Sequence, residues 1–222
     1  MRSRFDKELD TLNLRLIQMG KSCEEAIEKV TQALHKRSEE MAREIIREDE
    51  SIDRMEKEIE QMCLRLLLMQ QPVAKDLRQI SAALKMITDM ERIGDQTADI
   101  ADIILHNDFK GEYHLSQVDK MSEAVAKMVQ ESIRAYVNRD LALARQVMEE
   151  DDKVDELFLQ AKNSLVKVIR EEQGSHGDEV VNLVMVMKYL ERIGDHATNI
   201  AEWVEFSITG VHKDGNHAEY EV

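Results

Sequence analysis

The stretch MERIGDQTADIAD at residues 90–102 returns later in the chain as LERIGDHATNIAE at residues 190–202. Seven of the thirteen positions are identical: Glu, Arg, Ile, Gly and Asp, then Ile and Ala. One segment earlier, EDESID at 48–53 is echoed by EDDKVD at 150–155. Two echoes at nearly the same offset mark an internal duplication. Each echo lies in a long run with helical apolar spacing, and the runs are separated by short turn signals. The spacing predicts six long helices, three before a loop near 108–114 and three after it. Long helices joined by short turns pack antiparallel. The expected fold is therefore all-α: two tandem, duplicated three-helix bundles, over residues 1–110 and 111–210, with a flexible tail at 211–222.

Helix-end chemistry places the boundaries. Ser38, followed by Glu39 and Glu40, reads as the N-cap of the second helix. Pro72, the only proline, suits the first turn of the third. Ser116 with Asp119 resembles a capping box for the fourth. The composition agrees with helix throughout, with eight glycines and 4% aromatic residues. A net charge of −15 makes nucleic acid a poor partner, since binding it requires Lys and Arg to neutralise phosphates. No stretch approaches the ~18 apolar residues of a membrane span, and the N-terminus lacks an apolar signal core. A cytoplasmic protein is expected, with Cys23 and Cys63 as buried reduced thiols.

The repeated acids share a direction. At about 100° per residue, Glu91, Asp95, Asp99 and Asp102 fall on one narrow stripe, continuing a line of Leu77 and Leu84. Glu191 and Asp195 continue a line from Val181 and Val184, in a segment, VVNLVMVM, that reads as covered on most sides. Arg92, Gln96 and His196 point toward water. The preceding helix of each half adds a pair at i,i+4: Asp49 with Asp53, and Asp151 with Asp155. Antiparallel packing lets these pairs face the ERIGD acids across a groove. Clustered, half-sheltered carboxylates raise one another's pKa and lose hydration. A multivalent cation resolves both, and carboxylate oxygens suit hard ions such as magnesium, manganese or calcium, and also iron. Gly94 and Gly194 permit close helix packing.

An enzyme is the competing class. A carboxylate-bridged di-metal oxidase is the helical candidate, but none of the seven histidines has the Glu three positions earlier that such sites use. There is no HExxH motif and no glycine-rich phosphate loop.

The two signatures, with QPVAKDLR at 71–78 and the duplicated six-helix layout, resemble the PhoU family. The likeness covers residues 1–208. It implies a pair of similar three-helix bundles. It implies multinuclear metal clusters, of iron or of magnesium, manganese or zinc, on Glu91, Asp95 and Asp99 and on Glu191, Asp195 and Asn199, with Asp49, Asp53, Asp151 and Asp155 on the facing helices. Asn199 offers a neutral oxygen where the first copy has an acid. The resemblance further implies a non-enzymatic negative regulator of phosphate uptake and of the phosphate-starvation response. Its implied partners are the ATPase subunit of the phosphate ABC transporter and the phosphate-sensing histidine kinase. It would sit in the cytoplasm at the edge of membrane complexes. Helical bundles of this kind often pair, so a homodimer is expected.

Overall fold

The chain's long amphipathic runs form six α-helices in the computed structural model, which describes residues 2–69, 73–107, 109, 115–171 and 177–211. They are α1 (Arg2–Lys36), α2 (Glu39–Met69), α3 (Ala74–His106), α4 (Ser116–Asn138), α5 (Leu141–Glu171) and α6 (Gly177–Thr209). Pro72 and most of the segments expected as central loop and C-terminal tail lie outside the described residues. Among the described residues, no helix is long and apolar enough to cross a membrane.

The helices form two three-helix bundles side by side. α2 lies on α1 and α3, α5 lies on α4 and α6, and the bundles meet through α1 against α4 and α3 against α6. The α3–α6 pair runs antiparallel. Asn182 at the start of α6 donates to Asn107 at the end of α3 (2.6 Å), while Asn199 near the end of α6 donates to Asp89 (3.1 Å). α1 and α4 are also antiparallel, with rungs His35–Asp119, Thr31–Ser122 (2.8 Å) and Glu24–Gln130 (3.2 Å). One apolar core runs through both bundles, including Leu16 and Met19 of α1, Met90, Ile93 and Ile100 of α3, and Leu190, Ile193 and Ile200 of α6. Each such side chain contributes about 1.5–3 kcal/mol by leaving water. Cys23 and Cys63 are buried free thiols, and burial pushes both up to about 12, so neither is a ready nucleophile.

The duplication extends to the turns. Arg37 and Arg139 both adopt positive φ, at 50° and 54°, in the C-terminal position that glycine usually fills. In each turn the next residue caps the following helix. The Ser38 hydroxyl accepts from the Met41 N–H (3.3 Å), and the Asp140 carboxylate accepts from the Leu143 N–H (3.0 Å).

Three local expectations fail. The Ser116–Asp119 capping box does not form, because Leu115 takes the N-cap position with no side-chain bond and Asp119 turns to His35 on α1. The VVNLVMVM segment is not covered all round: Val181 is 56% and Met185 41% exposed. The leucine line is also uneven, since Leu77 is exposed and Asp102 leaves the stripe to pair with His106 in solvent.

Candidate functional site

In the first bundle, α2 turns Asp49 and Asp53 toward α3, which carries Glu91, Asp95 and Asp99. Gly94 makes this close approach possible. A Cβ there would stand 2.5 Å from Asp49 Oδ1 and 3.1 Å from Ile52 Cδ1. Asp49 Oδ1 is shut off from solvent and has no hydrogen-bond partner. Burial raises the Asp49 carboxyl to about 6, helped by the charges of Asp53, Asp95, Glu91 and Asp99. Glu91 is raised by burial and then by Asp95. Asp99 is raised by burial and then by Asp95, while Arg192 and the Tyr189 hydroxyl of the other bundle pull it down. Arg92 donates to Asp95 Oδ2 (2.7 Å) and lies 3.4 Å from Glu91.

The second bundle repeats the plan in altered form. Asp151 faces Asp195, with Asp155 on the same helix. Burial and then the charges of Asp195 and Asp155 raise the Asp151 carboxyl to about 6, while the Thr198 hydroxyl beside it pulls the other way. Asp195 is raised by burial and then by Glu191. Glu191 is paired with Lys188 one turn earlier, where the first copy has Thr88. Gly194 is less crowded, the nearest atom to an added Cβ being Asp151 Oδ1 at 3.4 Å.

Of the residues singled out from sequence, Asp49, Asp53, Glu91, Asp95 and Asp99 come together along one seam. Asp151, Asp155, Glu191 and Asp195 do so along the other. Asn199 stands apart, its amide bound to Asp89 of the first bundle. Gln96 and His196, read as facing water, do not. Gln96 is buried, and His196 is half-buried with Nδ1 2.9 Å from Asp89. The reason is the α3–α6 contact, which covers a second side of both helices. Asp89, Tyr189 and Lys188 carry no sign in the repeat itself. Only Lys188, one turn before Glu191, was readable as a neighbour.

The donor set is all oxygen and carries excess negative charge, burial raises Asp49, Glu91, Asp99, Asp151 and Asp195 within it, and Asp49 Oδ1 is orphaned. That chemistry fits a hard multivalent cation. The carboxylates are spread along the seams, and among the described residues no three His, Cys, Asp or Glu side chains converge on one point.

Comparison with known proteins finds the same plan elsewhere. The PhoU domain model matches twice, over residues 16–104 and 118–204. The chain is 40% identical to the phosphate-specific transport system accessory protein PhoU homolog of Clostridium acetobutylicum, across 96% of this chain and 97% of that protein. The crystal structure of PhoU from Pseudomonas aeruginosa superposes with a TM-score of 0.86 at 33% identity, covering 93% of this chain and 100% of that one. The phosphate transport system regulatory protein PhoU from Streptococcus pneumoniae gives 0.87 at 26% identity, covering 95% and 99%. A family model that matches both halves, and relatives aligned end to end, make this chain a member of the PhoU family.

Proposed function

We propose that this protein is an accessory regulator of phosphate-specific transport that works by binding and not by catalysis. It restrains phosphate uptake and the phosphate-starvation response when phosphate is plentiful. Its contacts are with the ATPase subunit of the phosphate ABC transporter and the phosphate-sensing histidine kinase, at the cytoplasmic side of the membrane. The observation that carries the reading is the pair of equivalent carboxylate seams, one per PhoU domain, in a chain whose full length aligns with accessory and regulatory relatives.

In this reading Glu91, Asp95, Asp99, Asp49 and Asp53 hold one metal group, and Glu191, Asp195, Asp151 and Asp155 hold the other. The ions are iron, magnesium, manganese or zinc. A bound cation supplies positive potential on a chain of net charge −15, which a docking partner or a phosphate then meets. Gly94 and Gly194 set how closely α2 and α5 approach, and thereby how near the facing carboxylates stand.

Deletion in the host tests the regulatory half. Phosphate-starvation genes are expected to be derepressed in rich phosphate, and normal repression with no second copy present overturns the reading. Elemental analysis of Asp95→Ala with Asp195→Ala tests the metal half, with metal content expected to fall. Unchanged content removes the assignment. Oxygen consumption by iron-loaded protein would favour a di-metal oxidase instead.

A further inference from the structure

The α3–α6 crossing carries two contacts that the internal repeat exchanges. At one, Asp89 of α3 accepts from the Asn199 amide (3.1 Å) and lies 2.9 Å from His196 Nδ1. Ten residues on along α3 and ten back along α6 stand Asp99 and Tyr189. There the Tyr189 hydroxyl donates to the Asp99 carboxylate. At the offset of 100 that relates the ERIGD copies, Asp89 corresponds to Tyr189 and Asp99 to Asn199. One contact is thus built twice, with the acid on opposite partners.

The exchange has unequal consequences for the seams. In the second copy the group that matches Asp99 is a neutral amide, and it is turned away to Asp89. In the first copy the acid stays at the seam position, one turn after Asp95, and the other bundle reaches over to it. Asp99 is exposed, whereas Asp49, Asp53, Glu91 and Asp95 are half-buried. An exposed carboxylate samples its rotamers freely, and fixing it on an ion costs that freedom. Tyr189 is half-buried, with its ring packed against the core, so its hydroxyl is a fixed donor. A ligand oriented in advance by such a donor holds an ion more tightly. Arg192, one turn after Tyr189, adds a positive charge that attracts the same carboxylate.

We propose that the first carboxylate seam is completed across the bundle interface, with Tyr189 as the positioning residue that holds Asp99 ready for a metal ion, while the second seam lies within its own bundle. This rests on the metal reading above and adds to it an unequal dependence on the α3–α6 contact. Loading the first seam then bears on how the two PhoU domains sit together, and loading the second does not.

Manganese titration calorimetry on the full chain tests it in two backgrounds. Asp195→Ala leaves the first seam, and Asp95→Ala leaves the second. Adding Tyr189→Phe is expected to raise the manganese dissociation constant about tenfold at the first seam and to leave it unchanged at the second. Phenylalanine keeps the ring, so far-UV circular dichroism should match the parent. Asp89→Ala removes the mirrored contact and should not weaken the second seam. Hydrogen exchange gives an independent readout. Manganese on the first seam should slow amide exchange in α6 around Tyr189, and Tyr189→Phe should abolish the slowing. A first seam indifferent to Tyr189→Phe, an equal loss at both seams, or slowing that persists without the hydroxyl overturns the positioning role. A second seam weakened by Asp89→Ala overturns the asymmetry. Absence of manganese binding in both backgrounds overturns the metal reading itself, and this inference with it.

Discussion

The two bundles share a carboxylate seam but differ in how its charge is balanced. In the first, Asp49 has no partner on its buried oxygen, and Asp99 adds a further acid that is eased only from the opposite bundle. In the second, Lys188 neutralises Glu191, Thr198 stands beside Asp151, and Asn199 is a neutral group engaged elsewhere. The glycines differ in the same sense, since Gly94 is pressed by Asp49 and Ile52 while Gly194 has ordinary contacts. Duplication therefore preserved the geometry and let the electrostatics drift. The first seam asks more of an external cation than the second.

The largest expected effect concerns what the two seams share. Asp49 and Asp151 hold their protons up to about 6 when folded and near 3.9 when unfolded. The folded state therefore binds the proton more tightly. The stability this gives is fully present below pH ~4 and is lost as pH rises through the folded value near 6. Metal-free protein should be more stable at mildly acidic than at mildly alkaline pH. Asp49→Asn with Asp151→Asn should flatten that slope and gain together about 3 kcal/mol on the alkaline side, after allowance for solvent screening. Urea titrations across pH, with chelator present, measure this, and an unchanged slope would place the effect elsewhere.

Next comes the asymmetry of the glycines. Gly94→Ala must displace Asp49 and Ile52 and is expected to cost about 1–2 kcal/mol. Gly194→Ala meets only ordinary contacts and gains helix propensity of up to about 1 kcal/mol. Paired thermal melts should move in opposite directions. Equal shifts would show that the two helix crossings are equally tight.

The smallest effect concerns Lys188. Lys188→Thr copies the first bundle's Thr88 and removes the internal cation from Glu191. With the first seam disabled by Asp95→Ala, manganese binding at the second should tighten up to about tenfold, about 1.4 kcal/mol. Isothermal titration reads this directly. No change would mean that Lys188 does not compete for that seam.

The helices, their number and the duplication were legible because a 3.6-residue period and a repeated acid pattern survive in sequence. The seam acids on α3 and α6 were legible because Glu91 and Glu191 each stand one turn after a buried apolar residue, Ile87 and Met187. What escaped was anything set by a second packing partner. Periodicity identifies one covered side of a helix, but α3 and α6 have two. Gln96 and His196 sit on the side that only the α3–α6 crossing covers. The left-handed Arg37 and Arg139 escaped for another reason: their backbone state follows from the turn's hydrogen bonds, and arginine gives no hint of it.

The single apolar core running through both bundles has a consequence for folding. A half-chain would expose the faces of α1 and α3 that now rest on α4 and α6, so the repeat seen in sequence is not a thermodynamic unit. The two halves should melt together, with calorimetric and van't Hoff enthalpies equal. Strain introduced at Gly94 would then lower the stability of the whole chain, and not appear as the private loss of one bundle.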